Sequence, residues 1–363
     1  MVHRARSAQA RGFGGYKQPS GTGLAARFTM NTPATPVAPP AGAAATVQSS
    51  RLAHFPVALF AVVMGMAGLA LAWLKAHHLA AVPEGVGCLI RLLATGIFVL
   101  VLALYLAKLT RHPDAVRGDW MHPVKLNFFP AISIGLILLA IAWARDLPAI
   151  APWIWGLGAA LHLVFTLAAM SSWIHHARHE LKHANPASFI PVVGNILVPI
   201  AGVGFAPADV SWFFFSVGVV FWLVLMTIIL HRLFFNEPLP ARLTPTLFIL
   251  IAPPAAGFLA WVALVDEIDA FARVLYFTAL FLTLLLASNA LRFFRLPFAI
   301  SGWAYSFPLA AMTLASFEMG ARTGTAFYHT LAWVLLAVLT AVVALLSVKT
   351  LMAAARGKIC VPE

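Results

Sequence analysis

The sequence predicts an all-α membrane protein whose helices run as five tandem hairpins in a ring. Three observations carry that expectation. Of 363 residues, 61% are hydrophobic and only 10% charged, with a mean hydropathy of +0.90; a soluble domain of this length has no interior large enough to hide so much apolar surface. From Phe55 onward the apolar residues fall into ten stretches joined by short connections. Prolines recur at a similar depth in every second stretch.

Taken in order, residues 1–51 form a tail rich in Ala, Pro, Gly, Ser and Thr, with six basic residues (Arg4, Arg6, Arg11, Lys17, Arg27, Arg51) and no acidic ones. It lacks aliphatic periodicity and is expected to be disordered; Met30 is a second candidate start. The ten-helix membrane domain is expected over 52–352, with spans near 53–74, 88–108, 125–144, 151–174, 186–206, 210–233, 244–265, 270–291, 297–317 and 326–350, and a short C-terminal extension over 353–363. Such short connections leave no room for a soluble catalytic domain. Cys88 and Cys360 lie far apart and suggest neither a disulfide framework nor a metal knuckle. The net charge of +12 does not point to nucleic acid, because the basic residues sit between apolar spans rather than in one stripe.

Orientation follows from where Lys and Arg fall. With the tail in the cytoplasm, 19 of the 24 basic residues lie on that side, and Lys75, Arg91, Arg145, Arg273 and Arg322 lie on the other with the acidic group Asp266, Glu267 and Asp269. Both termini are therefore expected to be cytoplasmic, in agreement with an even number of spans.

The odd spans carry Pro56, Pro130, Pro191, Pro253 and Pro308, spaced by 74, 61, 62 and 55 residues, about one hairpin each. Proline removes a backbone donor and clashes with the preceding turn. In hydrocarbon that defect is tolerated only where neighbours satisfy the freed groups, so these prolines are expected as kinks along a pathway. Among the even spans Pro152 stands only at the start of the fourth, where a proline costs little. The pattern reads as an internal repeat, with broken helices facing inward and intact ones facing lipid. Phe307, just before Pro308, is a candidate plug. The polar residues of the odd spans are few, namely Asn127, Ser133, Ser188, Asn195, Thr246, Ser301, Ser306 and Thr313, with no lysine or arginine at depth. A pathway so lined would hold an anion weakly, which suits conduction.

No catalytic constellation emerges, and no enzyme activity or cofactor is expected. The phosphate loop GxxxxGK[ST] of ATP-driven pumps is absent from the sequence. All twelve carboxylates fall near span ends or in loops, whereas proton-coupled carriers usually keep an ionisable group at membrane depth. His162 is mid-span, but in an even helix, and is expected as a hydrogen-bonded structural residue. His175, His179 and His183, beside His176, repeat every four residues and would share a helix face. Nothing beyond Glu180 completes a ligand set, and no metal site is expected.

The stretches FPVALFAVVMGMAGLALAW (55–73), HPVKLNFFPAISI (122–134), RLTPTLFILIAPPAAGF (242–258) and SGWAYSFPLAAMT (301–313) resemble, in order, the tellurite-resistance/dicarboxylate transporter family, which includes the plant slow-type guard-cell anion channels and their bacterial homologues. The similarity covers about 55–350. It implies ten transmembrane helices as five tandem hairpins, quasi-five-fold around a central pore, in a homotrimer. It also implies a pore-blocking phenylalanine within W-A-[YF]-[ST]-F, at Phe307, with further constriction from the stretch holding Phe128 and Phe129. With Asn195, Ser301 and Ser306 these are the candidate lining residues. The function expected is an anion channel of a bacterial inner membrane passing chloride, nitrate or similar small anions. The alternative is a secondary carrier of C4-dicarboxylates such as malate, or an exporter of tellurite or sulfite.

Overall fold

A computed structural model describes residues 50–80, 82–176 and 180–361. The expected disordered tail falls almost wholly outside them, as does His179. Among the described residues the chain is helical and forms no strand. Its long helical stretches are α1 (Val57–Leu79), α2 (Glu84–Arg111), α3 (Lys125–Trp143), α4 (Ala151–His175), α5 (Pro186–Phe205), α6 (Ala208–Phe235), α7 (Thr244–Val265), α8 (Ala270–Ala287), α9 (Ser306–Thr323) and α10 (Ala326–Ala355). All but α9, nine helices among the described residues, are long and apolar enough to cross a membrane.

The exception has a physical cause. α9 carries Glu318 and Arg322 in its last turns. It packs against α1, α7 and α10 and buries twelve of its eighteen residues, so it needs no lipid-compatible exterior.

Odd and even helices differ in burial. In the most apolar stretch of α1, α3, α5 and α7, 72%, 78%, 61% and 61% of residues are buried, against 28% to 33% in the even helices. The even helices are also uninterrupted, up to the 30 residues of α10. The core is thus built from the odd elements, with the even ones around it.

The prolines do not break regular helices midway, as the sequence suggested. Four lie where a tight 3-10 turn becomes α-helix, and Pro56 lies just before such a turn. Pro56 precedes the 3-10 turn Val57–Leu59, which leads into Phe60–Leu79. Pro130 caps Ala131–Trp143 after the 3-10 turn Lys125–Phe128. Pro191 is the second residue of the single turn Ile190–Val193, between 3-10 turns at Pro186–Phe189 and Gly194–Leu197. Pro253 is second in Ala252–Val265 after eight 3-10 residues, Thr244–Ile251. Pro308 is third in α9, after the 3-10 turn Ile300–Tyr305. The first turn of a helix has unpaired N–H groups in any case, so proline is tolerated there.

Carbonyls at these transitions are taken up by the polar side chains of the interior. Ser133 donates to Pro130 O at 2.7 Å, and its oxygen lies 2.8 Å from His162 Nδ1. Thr166 donates to Pro191 O at 2.7 Å, Asn195 Nδ2 to Val192 O at 2.6 Å, and Ser306 to Trp303 O at 2.6 Å. Without water in the hydrocarbon, such internal donors are what make irregular backbone affordable at depth.

α1 and α9 approach closely at two glycines. A Cβ at Gly65 would fall 2.1 Å from Ser306 Oγ, and one at Gly68 would fall 2.7 Å from Ala310 Cβ. Small residues at a crossing let backbones pack tightly, the main source of helix association where the solvent is itself apolar.

Candidate functional site: two cavities separated by Phe307

A cavity of about 400 Å³ lies among the inner helices. All five odd elements reach it: Leu71 of α1, Leu138 of α3, Leu197 of α5, Leu259 of α7 and Ala311 of α9 are in its wall. A second cavity of about 40 Å³ is also lined by every odd element, now near their N-terminal ends, through Ala61, Phe128, Ile190, Ala252 and Pro308. Among the described residues Phe307 alone lines both. Its ring lies against α1 at Gly68, where a Cβ would sit 3.6 Å from Phe307 Cδ2.

The far end of the larger cavity is charged. Lys75 Nζ lies 2.6 Å from Glu318 Oε2, and Arg322 Nε lies 2.6 Å from Glu318 Oε1. Arg322 continues to Asp266, with Nη2 2.8 Å from the carboxylate and Nη1 2.8 Å from the backbone oxygen. Asp266 caps α7 in the left-handed region, φ 61°. Across the mouth, Arg91 is only 5% exposed. It pairs with Asp146, donates to Ala142 O at 3.0 Å and stacks 3.9 Å over the Trp143 ring. Arg145 lies 3.6 Å from Glu84. Charge is thus confined to one end of an otherwise apolar space.

The sequence-derived candidates divide. Phe307, Pro308, Phe128 and Ser301 face the smaller cavity. Phe129, Asn195 and Ser306 line neither cavity. Phe129 is buried edge-on against Trp120 and Tyr105 and tilted against Phe165, while Asn195 and Ser306 are fully buried and turned onto backbone oxygens. Asn195 and Ser306 therefore mend the backbone rather than line the space. Pro56, Pro130, Pro191 and Pro253 likewise stay out of both walls. α4 ends at His175, so His175 and His183 share no helix face. Among the described residues no three His, Cys, Asp or Glu side chains converge.

Lys75, Arg91, Glu318 and Arg322 were missed as site residues; the even helix α2 also buries Arg91 and Lys108, the latter 2% exposed and 2.5 Å from Asp119. A signal was present: of the five basic residues assigned to the sparse side, all but Arg273 line the larger cavity.

The family model described as voltage-dependent anion channel matches residues 54–351. The chain belongs to this family, SLAC1. Among its relatives, the S-type anion channel SLAH3 of Arabidopsis thaliana is 29% identical, over 83% of this chain and 48% of its own length. The guard cell S-type anion channel SLAC1 of the same plant is 28% identical, over 83% of this chain and 56% of its own. A tellurite resistance protein TehA homolog of Haemophilus influenzae is 26% identical, over 76% of this chain and 81% of its own. The chain spans about half the length of the plant relatives it matches. SLAC1-family membership and the apolar helices together make this a multi-pass membrane protein.

Proposed function

We propose that the protein is an anion channel in which chloride, nitrate or similar small anions pass along the axis of the odd helices, with Phe307 as the gate. In this reading ten helices cross a bacterial inner membrane as five hairpins in a quasi-five-fold ring. Both termini are cytoplasmic, the 3-10 turns beside the five prolines form the cytoplasmic half of the pore, and the protein is a homotrimer with one pore per subunit. One observation carries it: Phe307 is the residue shared by two cavities that are each lined by all five odd elements. An apolar constriction gates by filling the bore and excluding the water an anion needs.

A coupled carrier of C4-dicarboxylates, or an exporter of tellurite or sulfite, is the second reading, and Glu318 in the wall of the larger cavity is what favours it. The test is flux from proteoliposomes holding chloride, nitrate, malate or sulfite under imposed chloride and pH gradients. A channel gives a potential that follows the chloride gradient and ignores pH. A potential that moves with pH, or transport of malate alone, overturns the channel reading.

A further inference from the structure

The wall of the larger cavity changes character beyond Leu314, from apolar to ionic. Within that ionic end the hydrogen-bond capacity is unevenly used. Both carboxylate oxygens of Glu318 are engaged, one by Lys75 and one by Arg322. Arg322 spends Nε on Glu318 and both terminal nitrogens on Asp266. Arg91 is held by Asp146, Ala142 O and the Trp143 ring, and Arg145 stands two-thirds exposed beside Glu84. Lys75 differs. An ammonium has three N–H donors, and Lys75 uses one, on Glu318. Its side chain is 33% exposed and lines the cavity.

From these observations we propose that Lys75 is the anion-binding residue of the vestibule, taking a small inorganic monoanion on its two spare N–H donors, with Glu318 as the counter-charge that keeps the hold weak. The inference rests on the channel reading above and adds a binding step to it. Lys75 is seven residues beyond Gly68, where the Phe307 ring lies, so the held anion stands about 10 Å along the axis from the gate. Only apolar wall, such as Leu71 and Leu314, separates the two. An anion crossing that stretch needs to be gathered before it and released into it. Binding strong enough to concentrate the ion and weak enough to let it go is the requirement for conduction, and a lysine half-neutralised by a fixed carboxylate meets it.

The test uses the full chain in planar bilayers, in the Phe307→Ala background, with chloride on the vestibule side varied at low ionic strength. Contact between unit charges across water corresponds to about a fivefold change in affinity. Lys75→Gln is therefore expected to raise the half-saturating chloride concentration about fivefold, and Glu318→Gln to lower it by a similar factor, both effects shrinking in high salt. The Lys75→Gln/Glu318→Gln double variant leaves no unpaired carboxylate, guards against misfolding of the single variant, and is expected to half-saturate about fivefold higher than Glu318→Gln alone. Arg273→Gln, an equal loss of charge at an exposed position outside the cavity, should change nothing. If Lys75→Gln saturates as the background does and the double variant saturates as Glu318→Gln does, the site is overturned and the channel reading stands. If neither the wild type nor Phe307→Ala passes anions, the channel reading fails and the site with it.

Discussion

Phe307→Ala separates a gate from a packing residue. In a closed core, removing a phenyl ring costs about 3–5 kcal/mol, because the site cannot collapse around the void. Here the ring already has a cavity of about 400 Å³ on one side and one of about 40 Å³ on the other. One edge of the ring lies against α1 at Gly68. Little is left to lose, and the expected destabilisation is about 1–2 kcal/mol, well below the closed-core range. The effect on conduction runs the other way. With the ring in place an anion meets only apolar neighbours and must shed water without replacement, which costs several kcal/mol. Each 1.4 kcal/mol is a factor of about ten, so joining the cavities should raise anion conductance by more than about tenfold. Single-channel recording and a thermal melt in detergent, on the same preparation, report the two quantities. Unchanged conductance beside a loss of about 3–5 kcal/mol would refute the gate and make Phe307 a core residue.

Gly68→Val should lower thermal stability by about 1–3 kcal/mol through overpacking, since even its Cβ would fall 2.7 Å from Ala310 Cβ; a melt unchanged from wild type would contradict the close α1–α9 crossing. Asp119→Asn should destabilise by about 3–5 kcal/mol, because it strips the carboxylate from a lysine only 2% exposed, Lys108, and leaves it the Phe55 carbonyl. Adding Lys108→Met should restore most of that loss in the same melt. His162→Ala is expected to leave anion flux largely intact, since the ring is bonded to Ser133 and lines neither cavity; abolished flux in a folded protein would favour proton-coupled transport. A reporter fused after Glu363 should be active only in the cytoplasm, given the side on which most Lys and Arg fall.

The amino-acid sequence by itself determined the membrane class, the SLAC1 relationship and the alternation of two kinds of helix. Those features live in composition, in motifs such as SGWAYSFPLAAMT and in proline spacing, all of which are local. It also singled out Phe307, through its place before Pro308. Only the tertiary structure decided what the polar residues do. Asn195 and Ser306 read as lining because a polar atom in hydrocarbon asks for a purpose, and the purpose they serve is a neighbouring carbonyl at a 3-10 turn. Phe128 and Phe129 are adjacent and chemically identical, yet one faces the smaller cavity and the other a cluster of aromatics, because successive residues on a helical turn point about 100° apart. The charged mouth was hidden for a different reason. Lys75, Glu318 and Arg322 each looked like an ordinary span-end charge, and their partnership joins α1 to α9 across 243 positions of sequence. Pairing at that separation follows from how the helices pack, through Gly65 and Gly68 against α9, and the chain has no local signal that reports it.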